Sequence, residues 1–132
     1  MSIIAAPVIT ALYAGVLGLV MIGLVVVVGR VRGSADISIG DGGNVELIVA
    51  MRRHANFVEF VPLVLILIGL LEMNGVASGA IHGLGAALVI ARLAHAFGYR
   101  GDDSLRVFRA IGAMGSTLVL AIASGWAIVA FF

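Results

Sequence analysis

Three short stretches hold the residues of this chain that could do chemistry. In the segment 52–62, Arg52, Asn56 and Glu59 are spaced i, i+4, i+7, which puts them on one face if the segment is helical. An ionised Glu inside an apolar helix costs several kcal/mol unless it is paired or wetted, and an Arg of the same cluster is the expected partner. Pro62 lacks an N–H, so the carbonyl of Val58 loses its helical donor beside Glu59. In the segment 92–99, Arg92, His95 and Tyr99 share a second helical face. Arg106 follows, with Arg109 one turn on. A pocket built from these side chains would suit a small polar acid, because guanidinium binds carboxylates bidentately. Apolar faces beside it would suit a lipophilic second substrate. A buried ion pair that only fixes helix register is the alternative reading of Glu59, and the residue types leave both open.

The elements that must position these groups are apolar helices. Of 132 residues, 62% are hydrophobic and 11% charged, and the mean hydropathy is +1.21. A soluble domain of this size needs a polar surface that this composition cannot supply. The apolar stretches are continuous rather than alternating, which argues for helices over a transmembrane barrel. A crossing takes about 20 apolar residues. The chain therefore reads as an all-α integral membrane bundle of four helices, over about 3–29, 45–72, 76–97 and 105–132, in one domain. Arg30 and Arg32 stop the first run, which is expected to be retained rather than cleaved. Residues 33–44 are rich in Gly, Asp and Ser and form a loop. Asn74-Gly75 marks a tight turn, and Asp103 or Ser104 is placed to cap the last helix. The chain has no Cys, which excludes disulfides, cysteine nucleophiles and thiolate metal sites. No metal and no nucleic-acid partner are expected.

All eight basic residues are Arg. Arg30, Arg32, Arg52 and Arg53 flank the first loop; Arg92, Arg100, Arg106 and Arg109 flank the third. In a four-helix path these loops share one side, which the positive-inside rule assigns to the cytoplasm, with both termini on the other. Gly75, Gly79, Gly83 and Ala87 recur every four residues, as do Ala11 and Gly15. Such small-residue faces are expected to pack against neighbouring helices. His82, near the Arg-free end, is given no role.

At the residues of the two motifs the sequence resembles the MAPEG family, the membrane-associated proteins of eicosanoid and glutathione metabolism. Arg52-x-His54-x-Asn56-x-x-Glu59-x-x-Pro62 resembles the family's second-helix signature, closest to the microsomal glutathione transferase branch. Arg92-x-x-His95-x-x-x-Tyr99, followed by Arg106, resembles its third-helix end and the arginine after it. The resemblance covers nearly the whole chain. It implies a homotrimer binding glutathione as co-substrate at subunit interfaces near the cytosolic side. By position, Arg52, Asn56, Glu59, His95 and Tyr99 would line the glutathione site, and Arg106 would stabilise the thiolate. The thiolate would attack a lipophilic electrophile or a lipid hydroperoxide supplied by the membrane lipid. Phe60 and His95 stand where the leukotriene-synthase branch has Tyr, which argues against leukotriene synthesis. The resemblance offers Arg30 or Arg32 as counterpart of a further functional arginine of that branch, with both left open. Some family members bind lipids or glutathione without catalysis, a second reading of the same fold. A small multidrug transporter, the third, would carry its Glu in the first helix, where this chain has no charge before Arg30. The lack of Cys and the short chain suit a bacterial inner membrane.

Overall fold

A computed structural model describes residues 6–99, 104–130 and 132. Among them the chain forms four helices: α1 (Val8–Ala35), α2 (Val45–Met73), α3 (Ser78–Gly98) and α4 (Arg106–Val129), without strands. Each is long and apolar enough to cross a bilayer. Large apolar side chains such as Leu19, Ile66, Ile90, Met114, Leu118 and Ile128 point outward. On a soluble monomer an apolar surface of this extent would drive association; here it matches lipid.

The ends of the helices follow local rules, with two departures from the sequence reading. First, Arg30 and Arg32 end the apolar run but not the helix. α1 continues to Ala35 and stops at Asp36, whose left-handed backbone (φ 54°) sends its N–H to the carbonyl of Arg32. Arginine is a good helix former; only the backbone reversal and the glycines after it break the helix. Arg32 then ties the loop by donating to the carbonyl of Gly40 at 2.8 Å. Asn44 caps α2, accepting from the Leu47 N–H at 2.9 Å. α2 runs unbroken through Pro62, and the expected turn at Asn74-Gly75 is present, with Gly75 at φ 80°. Second, the N-cap position of α4 falls on Leu105, which makes no side-chain cap bond, and not on Ser104. Asp103 and Arg100 lie outside the described residues.

The helices bury narrow stripes. In α1 the buried residues are Thr10, Leu17, Leu24 and Val31, a seven-residue spacing that gives one seam against α2 and α3. α1 makes no contact with α4 among the described residues. The shared core is built from residues such as Leu17, Phe57, Val64, Ile68, Leu88 and Val119. α3 and α4 approach most closely. A Cβ at Gly98 would meet the backbone of Phe108 and Arg109, and one at Gly112 the backbone of Ala91 and His95. Gly79, Gly83 and Gly15 have nothing beside them, and Ala11 and Ala87 are exposed. The small-residue face of α3 therefore points out of the subunit instead of packing within it. A four-residue period identifies a face but not what the face meets.

Candidate functional site

The ends of α2 and α3 that carry arginine meet the start of α4. Arg53 of α2 donates to the carbonyl of Tyr99, at the end of α3. At the centre lies Arg92, only 2% exposed and among the largest fully buried side chains. Its Nη1 donates to the Asn56 side-chain oxygen at 2.9 Å and to the Asn56 carbonyl at 3.3 Å. Its Nη2 reaches the Gly112 carbonyl on α4 at a long 3.5 Å. The guanidinium carbon stands 5.5 Å from the centre of the Phe60 ring, within cation–π range. One side chain thus joins three helices.

One turn along α3, His95 is 4% exposed, with its ring 5.4 Å from that of Tyr99. The Arg109 guanidinium lies over the same tyrosine, 5.5 Å from the ring centre. The guanidinium groups of Arg53, Arg92 and Arg109 are all within electrostatic reach of His95. A site with this concentration of positive charge favours anions.

Of the residues singled out from the sequence, the structure brings Asn56, His95 and Tyr99 into this network. It leaves Arg52, Glu59 and Arg106 exposed on the outside of the subunit. The expected Glu59–arginine pair is not formed: Glu59 makes no hydrogen bond or ion pair with the described residues of its own chain. The reason is rotational. Asn56 and Phe60 turn toward Arg92, and residue 59, about 60° away around a helix of 3.6 residues per turn, faces outward. Arg106 is the first residue of α4, whose first turn holds no acidic residue, so the positive end of the helix dipole adds to its charge.

Sequence reasoning counted Arg92 among the side chains of the pocket but not among the residues expected to line the glutathione site; a lone Arg deep in an apolar helix was the available signal for its central place. It also missed a polar cluster at the opposite end. Glu72, at the end of α2, is buried. It accepts from the N–H groups of Ile9 at 2.9 Å and Thr10 at 2.8 Å and from the Thr10 hydroxyl at 2.6 Å. His82, which had been given no role, shares a 3.0 Å hydrogen bond with the Tyr13 hydroxyl.

Residues 10–129 match the sequence pattern of the MAPEG family. The chain belongs to the MAPEG family. The match runs from Thr10, bonded to Glu72, to the last residue of α4, so it takes in all four helices and both arginine-flanked connections. This MAPEG chain is also 36% identical over 91 residues, 69% of its length and 70% of the relative's, to "Inner membrane protein YecN" of Escherichia coli strain K12. The same figures hold for the protein of that name in Escherichia coli O6:H1. No solved structure matches the chain.

Proposed function

We propose that this MAPEG protein is a membrane-bound glutathione transferase or peroxidase that ionises glutathione and presents the thiolate to a lipophilic substrate. The observation that carries the reading is how polar groups sort at the arginine-rich end. A network of buried Arg92 and His95 with half-buried Asn56 and Tyr99 lies beside Arg52, Glu59 and Arg106, which the isolated subunit leaves outside. An unpaired charge costs about 3 kcal/mol at the bilayer centre and less toward the helix ends. Assembly of subunits into a homotrimer, with glutathione between them, would give these three residues partners. Arg52 and Asn56 would hold the acid, Glu59 its ammonium group, and His95 and Tyr99 would complete the wall.

Arg106 acts on the sulfur. A free thiol titrates near pH ~8.5, so little is thiolate at neutral pH. A guanidinium at a helix start favours the anion. Lowering the thiol pKa by about two units makes most of the bound glutathione reactive and corresponds to roughly 2.7 kcal/mol. In conjugation, sulfur bonds to the electrophilic carbon as the halide leaves. In peroxide reduction, sulfur takes the terminal oxygen and the alcohol departs. A second glutathione then releases water and leaves the disulfide. An apolar concavity of about 750 Å³ on the outside of α4, lined by Ile111, Met114 and Leu118, offers the lipophilic substrate a berth. It begins about one and a half turns from Arg106.

The arginine-rich end faces the cytoplasm by the positive-inside rule, and the relative's name supports an inner-membrane location. The test is turnover of a halonitroarene and of a lipid hydroperoxide by purified protein with glutathione. Arg106→Ala is expected to lose about 25-fold in conjugation rate at neutral pH, the ratio of thiolate fractions for thiols titrating about two units apart. Full activity in Arg106→Ala removes that residue from the mechanism. No heat on mixing millimolar glutathione with the wild-type protein favours a lipid-binding member without catalysis.

A further inference from the structure

We infer that Arg92 is a positioning residue that locks the Asn56 carboxamide into a donor toward the ligand, so that this part of the site takes a hydrogen-bond acceptor, such as a carboxylate or an amide carbonyl, and turns away an ammonium group. The inference rests on the glutathione reading above and specifies what Asn56 does there. A guanidinium has N–H donors and no acceptor. Because Arg92 reaches the Asn56 side chain at 2.9 Å, the carboxamide must turn its oxygen to Arg92, whichever way the amide is drawn. Its NH₂ group then points away from α3. The arrangement resists inversion: Arg92 also holds the Asn56 carbonyl at 3.3 Å and is braced by Phe60 and Gly112.

A flipped amide would set two donors against each other in a buried place, which costs the desolvation of both. Asn56 itself is half-buried, with the exposed Arg52 and Glu59 on the adjoining face of α2. The Arg92 Nε is buried without a hydrogen-bond partner. Among the described residues no carboxylate bonds to the Arg92 guanidinium. Its positive charge is therefore uncompensated by any described carboxylate, and the group that Asn56 meets is best an anion. An ammonium group brought there would find donor against donor, because it has no acceptor.

The experiment measures glutathione affinity by calorimetry and melting temperature, on the full chain in detergent. Asn56→Asp is the decisive variant. Its carboxylate keeps an oxygen for Arg92 and forms an ion pair with it, so melting stays at or above that of the wild type. The outward donor becomes an acceptor, and glutathione affinity falls by about tenfold or more. Arg92→Lys keeps a donor-only cation, whereas Arg92→Gln can accept as well as donate and frees the amide to flip. Affinity is expected to fall less in Arg92→Lys than in Arg92→Gln at matched melting temperature. If Asn56→Asp does not fold, that order carries the test. Asn56→Asp binding glutathione as well as wild type, or Arg92→Lys and Arg92→Gln equally affected, overturns the inference while leaving the glutathione reading in place. A wild-type protein that binds no glutathione overturns both.

Discussion

Removing the Glu72 carboxylate should loosen α1 from the rest of the bundle. α1 has no acidic residue in its first turn, and its N-cap Pro7 makes no side-chain cap bond. Glu72, 62 residues away in sequence from Thr10, supplies the missing cap through the N–H groups of Ile9 and Thr10 and the Thr10 hydroxyl. A lost N-cap costs typically ~1 kcal/mol, and a carboxylate near a helix start adds ~0.3–1 through the dipole. The interhelical Thr10 bond, judged by averages inside membranes, is worth about 0.6 kcal/mol. Together these give about 2–3 kcal/mol for Glu72→Ala. Glu72→Gln retains one acceptor but turns an NH₂ toward a donor, and should lose somewhat less. The chain's single Trp, Trp126, lies near the end of α4 and reports unfolding in mixed detergents by fluorescence. A double-mutant cycle with Thr10→Val should return a coupling of ~0.5–1 kcal/mol between the two sites. Glu72→Ala unfolding within about 0.5 kcal/mol of the wild type, the ordinary scatter of surface substitutions, would refute the reasoning.

Other predictions concern packing and topology. Gly112→Ala and Gly98→Ala drive a Cβ into the backbone of the opposing helix, where no side chain can move aside. Each should destabilise by about 1–3 kcal/mol or more in the same unfolding assay, whereas Gly83→Ala, which meets only open space in the subunit, should leave subunit unfolding unchanged or slightly improved by about 0.5–1 kcal/mol. A large loss in Gly83→Ala seen only in the assembled protein would mark the exposed small-residue face as a subunit contact. Because the chain has no Cys, single cysteines can be labelled cleanly in intact spheroplasts. Ser38→Cys should resist an impermeant maleimide until the membrane is opened, and Asn74→Cys should react at once. The reverse pattern would invert the proposed orientation and place the arginine-rich site on the outer side.

The four helices were legible in the sequence because the features that make them are local. Apolar length sets a crossing, and the loop at 33–44 and the turn at Asn74-Gly75 break the backbone where expected. The sharing of one end by the two arginine-flanked connections followed from chain path alone, and the Arg53–Tyr99 contact bears it out. The motif residues on α2 and α3 were enough to indicate the MAPEG family, which the match over residues 10–129 establishes. The overextended reading of Arg30 and Arg32 as helix stops shows the limit of hydropathy: it records the end of the apolar run, while helix ends depend on backbone geometry.

What only the tertiary structure decided was the rotation of each helix about its axis. Helical periodicity fixes the angles between Arg52, Asn56 and Glu59 but not which of them faces the bundle; the packing against Arg92 turned Asn56 inward and left the other two outside. The same holds for the glycines, where Gly98 and Gly112 made the close approach and Gly79 and Gly83 did not. Glu72 could be seen as a helix end, but its bonds to Ile9 and Thr10 cross more than sixty residues of chain. Spacing along a helix is a property of the covalent chain, whereas the partner a side chain meets depends on several helices settling their contacts at once.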